Sequence, residues 1–582
     1  MIKQAAIFAS KKFSRGHEMK NRKTLFQSLL TALAVTGIVC NPNLAAHAAT
    51  SASINGHPVV VDAQSKLLTW MTPSANAYDN FLRQRWNFIK TKVPMAPGPA
   101  PRSSYPLYFF YDGFKTTSSI IEPDNWMNDV GEKVPNWFES ARLYYAYTGD
   151  ASVMQLAMDL IDYSLEHGTS ASNFAWPNFP YTTTNPGDTE FRGFTSAGRF
   201  VLHEIQVDHA AEMGLTYFRA YLYSGNAKYL TAATNVADVL ASKVRVGTAT
   251  KSVWPYRVVM STGAITSEYG ANWTGAYMLL DSLIKANVGN VTAYQNARTA
   301  AKNFILQYPM VSGYWTDGHS DTNINSTTYK SNLSKSNAAL YILDNPSFDP
   351  NFTTNIPALI KWTETYFVNR TAPGEPANDW GANVVGEQDG FLHKMDYQTA
   401  RYAAEAAKWY AYSGDAAYKE KAFRSLNWVT YTNDSQGRAN ESPYSSIDTW
   451  FSDCYGEGPR MFYQVFGAIP EWAPPRVNHI LYSQGILKNV SYTSTQVQYS
   501  STDTDGVEYL RLAFSPTAIS VAGVALSQRT DLKAEGYTLR DLGQGDYALS
   551  IRRQRTGTVS VLGGGSTPPL IKPAAPSNLI VK

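Results

Sequence analysis

The sequence is constrained most strongly by a helix-ending signature that occurs three times in full. Residues 143–150, 218–226 and 408–415 each contain an aromatic-rich stretch, a glycine and then Asp or Asn. Glycine suits the left-handed position that ends a helix, and Asp or Asn can cap the next helix. A degenerate fourth copy occupies residues 285–290. The signature therefore predicts helical hairpins joined by tight turns.

The hairpins continue through most of the chain. Between about residues 75 and 470, apolar residues recur at three- and four-residue steps, as expected for amphipathic helices. The signature glycines at 149, 225 and 289 lie 76 and 64 residues apart. At roughly 65 residues per hairpin this length predicts about six hairpins. We expect a mainly α fold, an (α/α)6-like toroid over residues 75–475.

The composition changes after Pro474-Pro475. Residues 477–562 contain short runs of alternating apolar and polar residues separated by turn residues, which predicts a small, β-sandwich-like antiparallel domain. Residues 563–582 begin with a glycine-rich linker. They end in a stretch similar to the first strand of a fibronectin type III module, so we expect a truncated start of such a module.

Residues 1–48 are predicted to be a signal peptide. A basic segment at 20–23 precedes an apolar run over 25–39, and Ala46-His47-Ala48 matches the small-x-small cleavage pattern. Met19 is an alternative start, because the first 18 residues add nothing to this signal. The mature chain is therefore expected to be secreted, either outside the cell or into the periplasm.

The composition excludes several classes of function. A formal net charge of +3 gives no reason to expect nucleic acid or a membrane as partner. After leader cleavage Cys454 is the remaining cysteine, so no intramolecular disulfide is expected. Motifs for zinc, phosphate loops and serine nucleophile elbows are missing, and no cofactor is expected. Asp321, Asn323 and Asn325 alternate in a way that could bind calcium.

Aromatic residues make up 13% of the chain, with 37 Tyr and 14 Trp. Two interpretations remain open. These rings belong to the core, or part of them line a groove that stacks on the flat apolar faces of sugars.

A helical hairpin array followed by a small β domain resembles the (α/α) toroid superfamily of carbohydrate-active enzymes, which includes glycoside hydrolases and polysaccharide lyases. The resemblance rests on the Tyr-x-Tyr-[Ser/Thr]-Gly-[Asp/Asn] hairpin ends and covers roughly residues 75–560. It implies that loops at one end of the ring form a cleft that cleaves a polysaccharide or an oligosaccharide.

Hydrolysis of a glycosidic bond usually requires two carboxyl groups. Glu204 and Asp208 are four residues apart, hence on one face if the segment is helical. Asp129 lies beside aromatic residues, together with Asp124, which is otherwise a helix N-cap. The candidate catalytic carboxyls are Asp129, Glu204, Asp208, Glu387 and Asp389. Each also has a structural interpretation, as a surface ion pair or a solvated loop charge.

The lyase alternative rests on a second resemblance. Asn125-Trp126-Met127 is similar to the Asn-Trp-Trp patch of hyaluronate and chondroitin lyases, although Met127 replaces the second tryptophan. By this resemblance Asn272 would neutralise a uronate carboxylate, His319 would abstract the proton and Tyr329 would donate one.

Candidate substrate contacts come from the same loops. They are Trp126, Asn125, Arg199, Asn272, Trp273, Trp315, Tyr329, Trp380 and Trp450.

The sequence favours a hydrolase over a lyase. Carboxylates outnumber the Arg and His candidates in the loops, and the near-neutral net charge does not suggest a polyanionic substrate. A second alternative is a glycan-binding surface protein without catalysis, which would keep the tryptophans and tolerate loss of the carboxylates.

Overall fold

The computed structural model describes residues 52–193, 201–316 and 326–564. The predicted signal peptide lies outside the described residues. So do Arg199, His319 and the calcium candidate at Asp321, Asn323 and Asn325.

The N-terminal two thirds of the described chain are helical. The helices are α1 (Ala77–Thr91), α2 (Val130–Thr148), α3 (Ser152–His167), α4 (Val207–Ser224), α5 (Ala227–Lys243), α6 (Thr274–Lys285), α7 (Val291–Gln307), the short α8 (Pro309–Ser312), α9 (Asn332–Asp344), α10 (Phe352–Thr363), α11 (Asp396–Ser413), α12 (Ala416–Thr430) and α13 (Gly458–Ala468). A π turn, Ser452–Glu457, leads directly into α13. None of these helices combines the length and apolar character needed to cross a bilayer.

The helices form two concentric layers. In the inner layer α2, α4, α6, α9, α11 and α13 each contact the next helix, and α13 contacts α2, which closes the ring. In the outer layer α3, α5, α7, α10 and α12 each pack on the inner helix that precedes them, and α1 packs against α12 and α13. These six inner–outer helix pairs, five of them hairpins and the sixth formed by α13 with α1, confirm the predicted (α/α)6 toroid.

The signature glycines end inner helices as predicted. Gly149, Gly225 and Gly414 have φ angles of 78°, 76° and 75°, a left-handed conformation that glycine adopts without steric cost. The following polar residue then caps the outer helix: the Asn226 side chain accepts from Lys228 N at 3.1 Å. Because each such turn joins an inner helix to the outer helix after it, these inner helices run in the same direction.

Short antiparallel strand pairs lie in the loops between hairpins. They are β1 (Ser53–Ile54) with β2 (His57–Pro58), β3 (Val60–Val61) with β4 (Leu67–Leu68), β5 (Gly113–Phe114) with β13 (Thr449–Trp450), β6 (Glu204–Gln206) with β7 (Arg257–Val259) and β8 (Ala264–Ser267), β9 (Asn378–Asp379) with β10 (Ala382–Asn383), and β11 (Gly386–Gln388) with β12 (Phe391–Lys394). Glu204 therefore lies on a strand, whereas Asp208 lies in the first turn of α4. The expectation that they share one helix face is wrong, because a strand–helix junction separates them.

A small antiparallel β domain follows the ring, as predicted. One sheet has the order β14 (His479–Ser483), β17 (Gly506–Leu512), β21 (Asp546–Arg553), β20 (Gly536–Gly543). The other has the order β15 (Leu487–Tyr492), β16 (Gln496–Ser501), β22 (Gly557–Gly563), β18 (Pro516–Val521), β19 (Val524–Ala525). Residues such as Val497, Leu510 and Val561 alternate into a shared core.

The β domain packs on the ring at the carboxyl ends of the inner helices. His479 Nδ1 lies 2.7 Å from the carbonyl oxygen of Tyr147, at the end of α2. The Tyr482 hydroxyl donates to Asp344 Oδ2 at 2.7 Å, at the end of α9. In the ring, α2 and α9 are opposite members, so β14 crosses this end of the toroid.

The buried ion pair of the β domain provides a stability test. Arg553 Nη2 and Glu508 Oε1 are 2.8 Å apart, and both side chains are fully buried. Arg553→Met leaves Glu508 without its cation, so we expect a loss of about 3–5 kcal/mol in the free energy of unfolding, measured by urea denaturation. The neighbouring Arg552 pairs with the exposed Asp505, so Arg552→Met should cost at most about 1 kcal/mol. Equal losses in the two variants would contradict this assignment.

Candidate active site

The amino ends of the inner helices meet at the end of the ring opposite the β domain, which we call the mouth. Side chains from the first two turns of inner helices, or from just before them, are hydrogen-bonded there. Asn272, two residues before α6, donates from Nδ2 to Asp208 Oδ2 on α4 at 3.1 Å. Asn337 on α9 donates to Asn272 Oδ1 at 3.0 Å, and Arg401 on α11 donates to Asn337 Oδ1 at 3.0 Å. Polar side chains from several helices are therefore joined at the mouth.

One wall of the mouth is fixed by the pairing of β5 with β13. Trp450 pairs with Gly113, which brings the loop before α2 against the loop before α13. A Cβ on Gly113 would lie 2.1 Å from Asp124 Oδ2, so glycine is required for this close approach. Asp124 Oδ1 accepts from Trp126 N at 3.0 Å, and burial raises the pKa of Asp124 to about 7.

Two carboxyl groups from neighbouring inner helices lie at the centre of this wall. Glu132 is in the first turn of α2 and Asp453 is in the π turn before α13, and they are 6% and 7% exposed. Burial raises the pKa of Glu132 well above its usual range, and the nearby Asp453 is the charge that raises it most. Burial, with the charge of Asp112, raises the pKa of Asp453 to about 7. The two groups therefore compete for protons.

Other titratable groups surround this pair. His209 Nε2 lies 3.8 Å from Glu132 Oε1. Asp129, the residue before α2, is 4% exposed. On α11 and strand β11, the Tyr397 hydroxyl donates to Glu387 Oε1 at 2.6 Å, and Glu387 is 9% exposed. The mouth thus brings together Asp129 and Glu387, two of the residues predicted from the sequence.

A third carboxyl, Glu441, is fully buried beside this group and accepts from Trp450 N at 3.2 Å. Glu441, Asp396 and Cys454 place possible ligand atoms within 4.8 Å of one another. The guanidinium of Arg85 already pairs with Asp396 at 2.9 Å, so a metal ion at this position would compete with a resident cation.

The floor of the mouth is a belt of hydrogen-bonded side chains. Glu212, one turn after Asp208 on α4, accepts from Asn272 at 3.2 Å. A Cβ on Gly275 would lie 2.3 Å from Glu212 Cγ, so α6 can approach Glu212 only through a glycine. At the other end of the belt, Arg460 donates to Glu457 at 2.8 Å. Burial raises the pKa of Asp208, at the edge of this belt, to about 7.

The rim carries an aromatic pair. Trp126 and Trp450 are in edge-to-face contact with ring centroids 6.0 Å apart, and both rings are half-buried. Asn125 is exposed beside them. These three predicted substrate contacts do lie together at the mouth.

No family model and no characterised relative matches this chain. Among solved structures, a cellobiose 2-epimerase from Spirochaeta thermophila DSM 6192 is 9% identical with a TM-score of 0.48, over 69% of this chain and 98% of that one. A D-mannose isomerase is 14% identical with a TM-score of 0.46, over 68% and 96%. An α-1,2-mannosidase from Trichoderma reesei is 12% identical with a TM-score of 0.38, over 67% and 93%. Likenesses this distant carry no argument about the reaction.

Two of the predicted catalytic carboxyls instead form hydrogen bonds or ion pairs within the loops. Glu204 accepts from Val201 N at 2.8 Å and from the Thr266 hydroxyl, which ties the β6–β8 sheet together. Asp389 pairs with Arg370 at 2.6 Å and lies 3.7 Å from Lys330. These partners account for both carboxyls in structural terms.

Two predicted tryptophan contacts also need correction. Trp273 and Trp315 are fully buried, and the Trp273 indole donates to Gly270 O at 2.7 Å. Buried indoles leave no open face for a sugar. Trp380 lies in the β9–β10 turn and is half-buried against the core. Tyr329 is half-buried, and its carbonyl accepts from the Thr316 hydroxyl at 2.8 Å.

The sequence did not indicate Glu132, Asp453, Glu212 or Arg401. The available signal was position, because each lies in the first two turns of an inner helix or the π turn leading into one. Such charges look like the solvated face of a surface helix until the inner layer of the ring is known.

The raised pKa of Asp208 predicts how stability depends on pH. Folded Asp208 keeps a proton that the unfolded carboxyl loses near pH 4, so this group lowers the free energy of unfolding as pH rises from about 4 to 7. Asp208→Asn removes this effect. We expect the variant to gain stability over the wild type between pH 4.5 and pH 8, by at most about 4 kcal/mol in urea denaturation.

Asp389→Asn is the matched control, since it removes an ion-paired loop carboxylate and should show no such gain as pH rises. The same change in stability at both pH values for Asp208→Asn would show that Asp208 is ionised in the folded chain.

Proposed function

We propose that this protein is a secreted enzyme that hydrolyses glycosidic bonds of a polysaccharide or oligosaccharide, with Glu132 and Asp453 as the catalytic carboxyls. The observation that carries the proposal is their position. They project from neighbouring inner helices at the mouth, and their pKa values are both raised.

The chemistry follows from the competition for protons. When two buried carboxyls interact strongly, one tends to hold a proton while the other is ionised near neutral pH. The protonated group can donate to the leaving glycosidic oxygen, and the ionised group can act as base or nucleophile. Burial raises the pKa of Glu132 well above its usual range, so we assign the proton donor to Glu132 and the second role to Asp453.

The remaining groups at the mouth suit sugar binding. The half-buried rings of Trp126 and Trp450 offer an apolar surface on which a pyranose can stack. Asp129 and Glu387 offer acceptors for sugar hydroxyls.

Hydrolysis is favoured over elimination by the environment of Asn272. Its amide donates to Asp208 at 3.1 Å and to Glu212 at 3.2 Å. A uronate carboxylate bound to the Asn272 amide would have to replace Asp208 and Glu212 as its acceptor. It would then lie next to both of these carboxyl groups. Lys133, a buried lysine of this wall, already has a carboxylate partner, because its Nζ lies 3.4 Å from Asp112 Oδ1. A neutral sugar avoids these costs.

Secretion is proposed from the N-terminal sequence alone. A basic segment, an apolar run and Ala46-His47-Ala48 together form an export signal. Cys454, the remaining cysteine of the mature chain, is buried, which suits an oxidising compartment because no exposed thiol is left to react.

The mature protein should release reducing ends from at least one member of a polysaccharide panel, without new absorbance in the unsaturated-uronate band. Glu132→Gln and Asp453→Asn should each lower kcat by about 100-fold or more, since each removes a proton donor or acceptor. Asp389→Asn, which changes a loop carboxylate outside the mouth, is the control and should retain activity.

Other outcomes would overturn the proposal. A rise of reducing ends and of the uronate band together would establish elimination. Retention on a polysaccharide column without any cleavage would indicate a binding protein. Full activity in both Glu132→Gln and Asp453→Asn would exclude this carboxyl pair.

Trp126→Ala tests the aromatic rim separately. Loss of one stacking ring should raise KM several-fold with a smaller change in kcat, because the ring binds sugar and takes no part in proton transfer. Trp409→Phe, a conservative change far from the mouth on α11, is the control. A loss confined to kcat would contradict the binding role.

A further inference from the structure

An aromatic cavity opens on the outer layer of the ring. Its walls are α8 with the chain that follows it, α10, and the π segment after α10. We call it the outer aromatic cleft and define it by Tyr314, Lys330, Trp362 and Tyr366. Its volume is about 240 Å³. Pockets for drug-sized ligands usually have about 300–1,000 Å³, so this cleft has room for one small ring-shaped unit.

A ligand can reach the rings of the cleft. Tyr314 is 39% exposed, and Trp362 and Tyr366 are half-buried. The Trp362 indole donates to Gly313 O at 2.9 Å, which fixes this ring next to the chain that carries Tyr314. The rings of Trp362 and Tyr366 have centroids 5.3 Å apart, with their planes tilted by 59°. The cleft therefore presents partly open aromatic rings in fixed positions.

Lys330 contacts two of these rings. Its Nζ is 5.6 Å from the ring centroid of Tyr314 and 4.9 Å from that of Tyr366, close enough for cation–π attraction. The Lys330 side chain is 17% exposed, and Nζ lies 3.7 Å from Asp389 Oδ2. An anionic ligand would approach this carboxylate, and a cationic ligand would approach the ammonium group. A neutral ligand avoids both repulsions.

A sugar unit matches this combination of groups. The apolar face of a pyranose can stack on an aromatic ring. Its hydroxyls can accept from the Lys330 ammonium and exchange hydrogen bonds with the hydroxyls of Tyr314 and Tyr366. A purely apolar ligand would cover the ammonium without replacing the water that it displaces, which is costly.

The cleft is joined to the mouth by a short stretch of chain. Thr316 follows Tyr314 by two residues, and its carbonyl accepts from Ala271 N at 2.9 Å. Ala271 precedes Asn272, which belongs to the hydrogen-bonded side chains of the mouth. Two residues of extended chain span at most about 7 Å, so the cleft and the mouth are close together.

A second connection lies on the other side of the cleft. Ser331, next to Lys330, forms an antiparallel β-bridge with Gln388. Gln388 follows Glu387, which lies at the mouth. The cleft therefore adjoins the mouth along two segments, and a polymer that leaves the mouth on this side passes over it.

We propose that the outer aromatic cleft binds a neutral sugar unit of a polysaccharide whose chain continues into the mouth. This inference rests on the proposed function for the nature of that chain, whereas binding in the cleft needs no carboxyl of the mouth. A long chain contacts both places at once and a short oligosaccharide contacts one. The cleft therefore favours long substrates over short ones.

The first test is retention of the mature full chain in native gels that contain soluble starch, mannan, xylan, mixed-linkage β-glucan or hydroxyethyl cellulose, each separately. Tyr314→Ala removes an exposed ring. We expect at least one polysaccharide to retain the wild type and its dissociation constant to rise about threefold or more in this variant, with an unchanged unfolding midpoint. Tyr314→Phe keeps the ring and should retain most of the binding.

Tyr412→Ala is the matched control. Tyr412 is 56% exposed and lies near the carboxyl end of α11, at the end of the ring that carries the β domain. The same substitution there removes an exposed tyrosine far from the cleft, so retention should stay as in the wild type.

Activity provides the second test. On the polysaccharide that is cleaved, Tyr314→Ala should lower kcat/KM several-fold. On a short oligosaccharide of the same sugar, kcat/KM should be unchanged, because this substrate does not reach the cleft.

The outcomes separate the cleft from the proposed hydrolysis. Retention that depends on Tyr314, without any cleavage, would refute the hydrolysis and support the cleft as a glycan-binding site. The cleft proposal is wrong if no polysaccharide retains the wild type, or if Tyr314→Ala is retained as strongly as the wild type. Equal losses in Tyr314→Ala and Tyr412→Ala, or equal losses of kcat/KM on long and short substrates, would also contradict it.

Discussion

Closure of the ring depends on the packing of the π turn and α13 against α2. The Trp137 indole donates to Phe451 O at 2.8 Å, and Ser140 Oγ donates to Tyr455 O at 3.3 Å. A Cβ on Gly456 would lie 2.9 Å from Trp137 Cδ1, so this contact leaves no room for a side chain there. The same contact brings Glu132 and Asp453 to one wall. Without it the helix pairs would form an open array.

The interior of the ring carries more charge than an ordinary core. Burying an ionised group is costly unless it is paired, hydrogen-bonded or neutralised by a change in protonation. The chain uses both solutions. Lys335 and Glu405 form a fully buried pair at 2.7 Å, and the belt from Asn272 to Arg401 links side-chain amides to a guanidinium group by hydrogen bonds. At the mouth, Asp124, Asp208 and Asp453 instead have pKa values raised to about 7. Pairing neutralises the buried charges of the scaffold, and raised pKa values leave protons on the carboxyls of the mouth.

Local chemistry made the fold predictable. A left-handed glycine followed by Asp or Asn has few structural uses, so the turns at Gly149, Gly225 and Gly414 indicated hairpins directly. The candidate site was harder to predict from the sequence. Helical periodicity identifies a helix but does not show whether its polar residues face water or the axis of the ring. Glu132 and Asp453 were therefore missed. Trp273 was misassigned for the opposite reason, since a loop tryptophan can be as buried as one within a helix.

The placement of β14 has a consequence for the end of the ring opposite the mouth. His479 and Tyr482, three residues apart, contact the ends of α2 and α9 on opposite sides of the toroid. This strand therefore lies across the end of the ring opposite the mouth and joins two of its opposite sides.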